Sequence, residues 1–155
     1  MKKEVLISSL VDAGICHLDE VRGVTPEEVA RLEANIGKSL PSEYREFLSG
    51  VGRGAGRFLN GTDIFFAALD GLREDAIQLL RENEEDASLP DDAFVFSMHQ
   101  GYEFTYFKIS DGDDPPVYQY VEGNGSPSLA WNSFNDFLVD AIAQNCKRKA
   151  STVWT

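Results

Sequence analysis

Phe94–Gly123 reads FVFSMHQGYEFTYFKISDGDDPPVYQYVEG, and this stretch decides the fold. Three aromatic-rich runs are separated by two turn clusters. β-Branched and aromatic side chains suit a pleated, half-buried surface, so the stretch predicts an antiparallel meander. Its strands are expected at roughly Ala93–Met98, Tyr102–Ile109 and Val117–Val121. Between the last two lies Asp111-Gly112-Asp113-Asp114-Pro115-Pro116. Proline cannot donate to a central ladder, so a loop is forced there.

Working outward, the N-terminal side is helical. Val5, Leu6, Ser9, Leu10 and Ala13 recur near helical spacing, and Gly14 interrupts them. Thr25-Pro26-Glu27-Glu28 is a sharper start signal. Thr25 can cap, Pro26 fits the first helical position, and Glu28 can reach back to the cap's backbone N–H. Val29, Leu32 and Ile36 form one apolar stripe, with Gly37 placed as a left-handed C-terminal residue. A third helix begins near Pro41 or Ser42. Tyr44, Phe47, Leu48 and Val51 line one face of it, and Gly50 and Gly52 are expected to end it.

Gly52–Arg57 is expected to be a flexible joint. Phe58-Leu59, Asn60-Gly61 and Ile64-Phe65-Phe66 suggest a hairpin or bent strand pair. Leu72, Ala76, Leu79 and Leu80 predict a helix ending near Asn83, followed by a solvated acidic run from Glu82 to Asp86. Beyond the meander, Ser133 can cap a final helix with Asp136 in its first turn. Phe134, Phe137, Leu138, Ala141 and Ile142 face the core, and Lys147, Arg148 and Lys149 complement the helix dipole. Helices, then mostly strands, then a helix argue for α+β: an antiparallel meander with N-terminal helices and a C-terminal helix packed around it. The expected organisation is one domain over 1–155, with a helical extension at 1–24 and a frayed tail at 150–155.

The 155 residues carry 26 acidic and 14 basic side chains, a net charge of −12. Such a surface repels phosphates and anionic lipid, which argues against nucleic-acid and membrane partners. It would draw in a basic protein, or serve only to keep the chain soluble. The two cysteines, Cys16 and Cys146, lie far apart and outside any CxxC pair. With no signal-peptide pattern and no membrane-length apolar run, the expected location is the cytoplasm, with both thiols reduced. The sequons at Asn60 and Asn124 then serve as turns.

Thr25-Pro26-Glu27-Glu28-Val29 through Leu40-Pro41-Ser42-Glu43-Tyr44-Arg45-Glu46-Phe47-Leu48 resembles the N-terminal signature of the SUKH superfamily, the Smi/Knr group. That group includes fungal cell-wall assembly regulators and many bacterial immunity proteins. His99-Gln100-Gly101-Tyr102, Asp114-Pro115-Pro116-Val117-Tyr118 and Ser133-Phe134-Asn135-Asp136-Phe137-Leu138 resemble further family segments in the expected order. The match spans about residues 25–143, most of the chain. The resemblance implies an antiparallel sheet flanked by helices. It also implies a binding role, often the neutralisation of a partner toxin. Members bind unrelated toxins, so the family does not name the partner.

Each candidate site also has a plainer reading. His99 is a possible base, but neither it nor His17 has a recognisable nucleophile or orienting group, so a structural or partner-contacting role is favoured. Cys16-His17 supplies two of the roughly four ligands a zinc site needs. Asp111, Asp113 and Asp114 lack the mid-loop glycine and downstream acid of an EF-hand. They are expected to be solvated, or to form with Glu122 a docking patch for a basic partner. The Gly52–Gly56 loop lacks the Gly-Lys-Ser/Thr ending of a phosphate loop. Tyr118 and Tyr120 share a strand face and, with Trp131, make an aromatic platform if that face is open.

The expectation is a non-enzymatic binding domain that needs no cofactor or metal, a monomer or weak homodimer. The leading role is an immunity protein that occludes a basic toxin domain. The alternative is a regulatory or scaffold domain for an endogenous protein. The partner-binding candidates are Asp111, Asp113, Asp114, Glu122, Tyr118, Tyr120, His99 and Trp131.

Overall fold

A computed structural model describes residues 1–83, 85 and 88–153, with side chains as far as Cys146. The elements run α1 (Lys3–Asp12), β1 (Val21–Arg22), α2 (Pro26–Ile36), α3 (Ser42–Val51), β2 (Gly54–Ala55), β3 (Thr62–Asp63) and α4 (Leu72–Glu82). They continue with β4 (Ala93–His99), β5 (Glu103–Lys108), β6 (Val117–Val121), β7 (Ser128–Trp131) and α5 (Phe134–Val153). The fold is α+β. A five-stranded antiparallel sheet runs in the order β3-β4-β5-β6-β7, and β1 and β2 form a separate two-stranded ribbon.

The local signals explain the helices. The Thr25 side chain accepts from the Glu28 N–H, and Glu28 accepts from the Thr25 N–H at 3.2 Å, a complete capping box. Gly37 closes α2 in the left-handed region at φ 78°. Val5 lies exposed on α1, while Leu6 and Leu10 are buried and tie the N-terminal segment into the main core. Gly50 does not end α3. It lies inside the helix, where α1 crosses so closely that a Cβ would come within 2.9 Å of the Lys3 Cβ.

The Gly52–Arg57 segment is held, not flexible. Gly54 and Ala55 pair with Arg22 and Val21, and Arg57 donates to the Asn145 carbonyl oxygen at 2.8 Å. Phe58-Leu59 and Ile64-Phe65-Phe66 do not pair as a hairpin. Only Thr62 and Asp63 form a strand, and their partners are His99 and Met98 on β4. Of the acidic run, Glu84 and Asp86 lie outside the described residues. The backbone of α5 continues to Val153. The Lys147, Arg148 and Lys149 side chains, and those of the tail expected to fray, lie outside the described residues.

Both faces of the sheet are covered. Phe96, Phe107 and Val117 pack with α1, α3 and α5 around Tyr44, Phe47 and Phe134. Val95, Phe104, Tyr106 and Tyr120 pack with Leu72, Ala76, Leu79 and Leu80 of α4. Between Val95 and Ser97 the β4–β5 register shifts, which makes Phe96 the extra residue of a bulge. Before the bulge Phe94 and Phe96 face α5; beyond it Ser97 and His99 do, and Met98 turns to the α4 side.

Candidate partner-binding cleft

The bulge converts an apolar strand face into a polar one. Beyond it, Ser97 opposes Thr105, and their hydroxyls hydrogen-bond in the interior. They floor a cleft of about 300 Å³ between the sheet and α5. Thr62, His99, Tyr102, Glu103 and Gln119 line its sheet side; Trp131 and, from α5, Asp140, Gln144 and Asn145 line the other.

These side chains position one another. His99 Nδ1 lies 2.9 Å from the Thr62 hydroxyl, joining β4 to β3, and its ring meets Tyr102 edge-on at 5.8 Å. Gln119 Nε2 donates to Glu103 Oε1 at 2.6 Å. Trp131 packs edge-on against Phe137, and its Nε1 donates to Asp140 Oδ2 at 3.3 Å. Asn145 is buried and fixes the floor, accepting from the Leu59 N–H at 3.1 Å and donating to the Ala141 carbonyl oxygen at 2.8 Å.

The electrostatics are one-sided. Among the described residues the ion pairs are Met1–Glu43, Lys2–Glu46 and Arg53–Glu28. Among the described residues the half-buried Glu103 and Asp140 carboxylates therefore have neutral hydrogen-bond donors but no cation. A carboxylate drawn partly out of water keeps its charge at a cost unless a cation or further donors reach it. The cleft is shaped to accept an ammonium or guanidinium group, with an indole and an imidazole at its walls.

The eight expected partner residues fall in three places. His99 and Trp131 line the cleft, and Glu122 lies beside it, its N–H donating to the Tyr102 carbonyl oxygen at 2.9 Å. Asp111, Asp113 and Asp114 are at the opposite end of β6. The five residues of that strand separate them from Glu122 by about 16 Å, so the four acids do not form one patch. Asp114 is also committed: its carboxylate accepts from the Asn135 N–H and side chain, both at 3.0 Å, beside the Ser133 hydroxyl that caps α5 by accepting from the Asp136 N–H. Asp111 and Asp113 are exposed.

Tyr118 and Tyr120 lie on the far face of the sheet. Tyr120 is fully buried under α4, its hydroxyl 3.4 Å from Glu85, so it offers no surface to a partner. Tyr118 is half-buried, stacked on Tyr106 at 5.2 Å with the Lys108 ammonium over its ring. The open aromatic platform is therefore corrected to one partly exposed ring. Glu103, Gln119, Asp140 and Gln144 are not legible as site residues, because each is an isolated polar side chain in sequence and only the packing of α5 on the sheet brings them together.

Cys16 is buried, Cys146 is half-buried, and neither forms a disulfide. Burial, helped by Glu20, pushes the Cys16 thiol up from its ordinary value. Among the described residues no group of three or more His, Cys, Asp or Glu side chains converges, and no helix is long and apolar enough to cross a membrane.

Residues 26–138, well over half of the chain, match the SUKH_6 family model, described as SMI1-KNR4 cell-wall. The chain belongs to the SUKH family. The match begins at the capped helix α2 and runs through the sheet into the first turns of α5. It covers the sheet side of the cleft with Trp131 and Phe137, while Asp140, Gln144 and Asn145 of the α5 wall lie beyond it. No curated protein matches the chain.

Proposed function

We propose that this SUKH domain is an immunity protein. It binds a basic toxin domain and blocks that domain's working surface, with no chemistry and no cofactor of its own. It acts in the cytoplasm of the cell that makes it. The observation that supports this reading is the α5 cleft, where Glu103 and Asp140 stand without a cation among the described residues, in a chain of net charge −12. A lysine or arginine of the toxin enters between them, flanked by Trp131 and His99. The exposed acids Glu122, Asp111 and Asp113 steer the encounter from the rim, where charge speeds association more than it holds the complex. Removing one partner of such a desolvated pair weakens binding by about 2–5 kcal/mol.

The test is capture from native lysate with the tagged protein, read by mass spectrometry at low and high salt. A Glu103→Gln/Asp140→Asn variant serves as the control. A basic toxin-like domain, released by salt and lost in the variant, is expected. Co-expression with that domain should then protect cells. Equal capture by the variant would remove the cleft from the reading, and a toxin that still kills during co-expression would remove immunity.

The family's cell-wall description favours a second reading, a regulatory or scaffold domain that binds an endogenous protein. Salt-resistant capture of a housekeeping protein would select it.

A further inference from the structure

The sheet has an open edge inside a second, larger cleft. Strand β3 covers only Met98 and His99 of β4, leaving Ala93–Phe96 without a neighbour on that side. The chain after Asp63 turns away, and the Phe66 N–H donates to the Gly52 carbonyl oxygen at 2.6 Å. The direction of the free groups follows from the ladder. The Ile109 N–H donates to the Asp92 carbonyl oxygen at 3.0 Å. Hydrogen-bonded positions alternate along an antiparallel pair, so Asp92 and Phe94 point their backbone groups at β5, and Ala93 and Val95 point theirs outward.

Ala93 is already engaged. Its N–H donates to Pro90, and its carbonyl oxygen accepts from Arg73 at 2.7 Å. Val95 is not: among the described residues its outward N–H and C=O have no partner. Unpaired N–H and C=O groups along a sheet edge are a ready template for another strand. A cleft of about 880 Å³ lies along the edge, walled by Leu32 and Ile36 on one side and Phe66 and Leu69 on the other.

Charge completes the site. Arg53 is held by Glu28 and lies over the Phe66 ring, and Arg73 is held by backbone carbonyls. Arg31 and Lys38 line the same cleft with no ion pair or hydrogen bond among the described residues. Lys38 only helps Ser110 to hold the Asp92 carboxyl below its ordinary value. Asp70, Glu74 and Asp91 line the cleft as well, so the two unengaged cations make a local basic spot beside α2 and not a basic cleft. The outer edge of β7 is open too, but Ser128, Leu129 and Ala130 are exposed there without walls.

We propose that the β4 edge takes an extended segment of another polypeptide as an added strand, anchored on the N–H and C=O of Val95 with an acidic side chain against Arg31 and Lys38. Main-chain bonds hold such a segment, and its alternate side chains enter the apolar walls. This site lies apart from the α5 cleft and stands whether or not that cleft binds a toxin.

The test pans a phage-displayed random dodecapeptide library against the full chain, followed by amide hydrogen exchange with the best synthetic peptide. In the free protein the Val95 amide should exchange faster than that of Phe94, and the peptide should slow it at least about tenfold. Enriched peptides should carry one acidic residue among alternating apolar ones. Arg31→Glu/Lys38→Glu should weaken them about tenfold or more without changing the melting temperature. Val95→Pro removes the outward N–H but no bond to β5; if it fails to fold, the charge reversal and the exchange data still decide. No enrichment, protection of Val95 in the free protein, protection elsewhere on binding, or indifference to the charge reversal would overturn the proposal. So would sedimentation showing a second copy of this chain on the edge.

Discussion

Replacing Tyr44 with phenylalanine should stabilise this protein. The Tyr44 ring is fully buried on α3, with the rings of Phe47, Phe94, Phe107 and Phe134 between 5.2 and 5.9 Å away. Its hydroxyl has no hydrogen-bond partner among the described residues. An unsatisfied buried hydroxyl costs about 1–3 kcal/mol. Tyr44→Phe deletes that oxygen alone and forfeits a few dispersion contacts of about 0.1–0.2 kcal/mol each. The net gain should be about 1–2 kcal/mol, a rise in Tm of about 2–8 °C for a domain of this size. Alkali supplies a second readout. Burial raises the Tyr44 ionisation far above that of a free phenol, so the folded state keeps a proton that the unfolded state loses above about pH 10. Stability then falls as pH rises through that value, by about 1.4 kcal/mol per pH unit for each such group. Tyr106 and Tyr120 are raised in the same direction, also by burial. Tyr44→Phe should remove one group's share of that slope. Urea unfolding at neutral pH and between about pH 9 and 11 measures both effects. A loss of 1 kcal/mol or more would mean that the hydroxyl has an acceptor, an unchanged alkaline slope that it ionises as in the unfolded chain, and either would refute the reasoning.

Three further outcomes follow from the same geometry. Asp114→Ala should destabilise by about 1 kcal/mol because the Asn135 N–H and side chain lose their acceptor while the Ser133 cap of α5 remains, whereas Asp111→Ala should stay within about 0.5 kcal/mol of the parent in the same urea titration. Gly23→Ala should destabilise by about 3 kcal/mol or prevent folding, since its Cβ would sit 2.0 Å from the Ser49 carbonyl oxygen, a backbone atom that cannot step aside. The Glu28 carboxyl is held below its ordinary value first by the Thr25 N–H, and that of Asp92 by the Ser110 hydroxyl. Their contributions are present above the unfolded carboxyl value and fade as pH falls through the lower folded values, below about pH 4. Glu28→Gln should flatten that acid limb in a circular-dichroism titration, and an unaltered limb would count against the capping box as its source.

What was legible in the sequence was whatever local chemistry decides. Thr25-Pro26-Glu27-Glu28 closes a capping box with side chains and backbone a few residues apart, and Gly37 adopts the left-handed turn that its lack of a Cβ allows. The loop before β6 follows from prolines that cannot donate. Strand β7 was missed because Ser128-Leu129-Ala130-Trp131 has neither strong β-propensity nor a buried face; it is an edge defined by its partner β6. Gly50 was misread because glycine serves both as a helix terminator and as a place for close approach. Only the position of Lys3, far away in sequence, distinguishes the two.

The site was less legible for a related reason. Alternation along Phe94–Gln100 carries the aromatic face of β4 straight on, so periodicity alone sends Met98 toward α5 and His99 away from it. One extra residue at Phe96 reverses this. The bulge keeps Phe94 and Phe96 against Tyr44 in the core, then brings Ser97 and His99 onto the face where Glu103, Gln119 and Asp140 stand. A single-residue slip exchanges the two faces of a strand, so the same slip that ends the aromatic core begins the polar cleft. Core and site are therefore coupled through Phe96. A substitution that removes the bulge would turn His99 away from Thr62 and Met98 into the cleft, abolishing the binding proposed there even in a protein that remains folded.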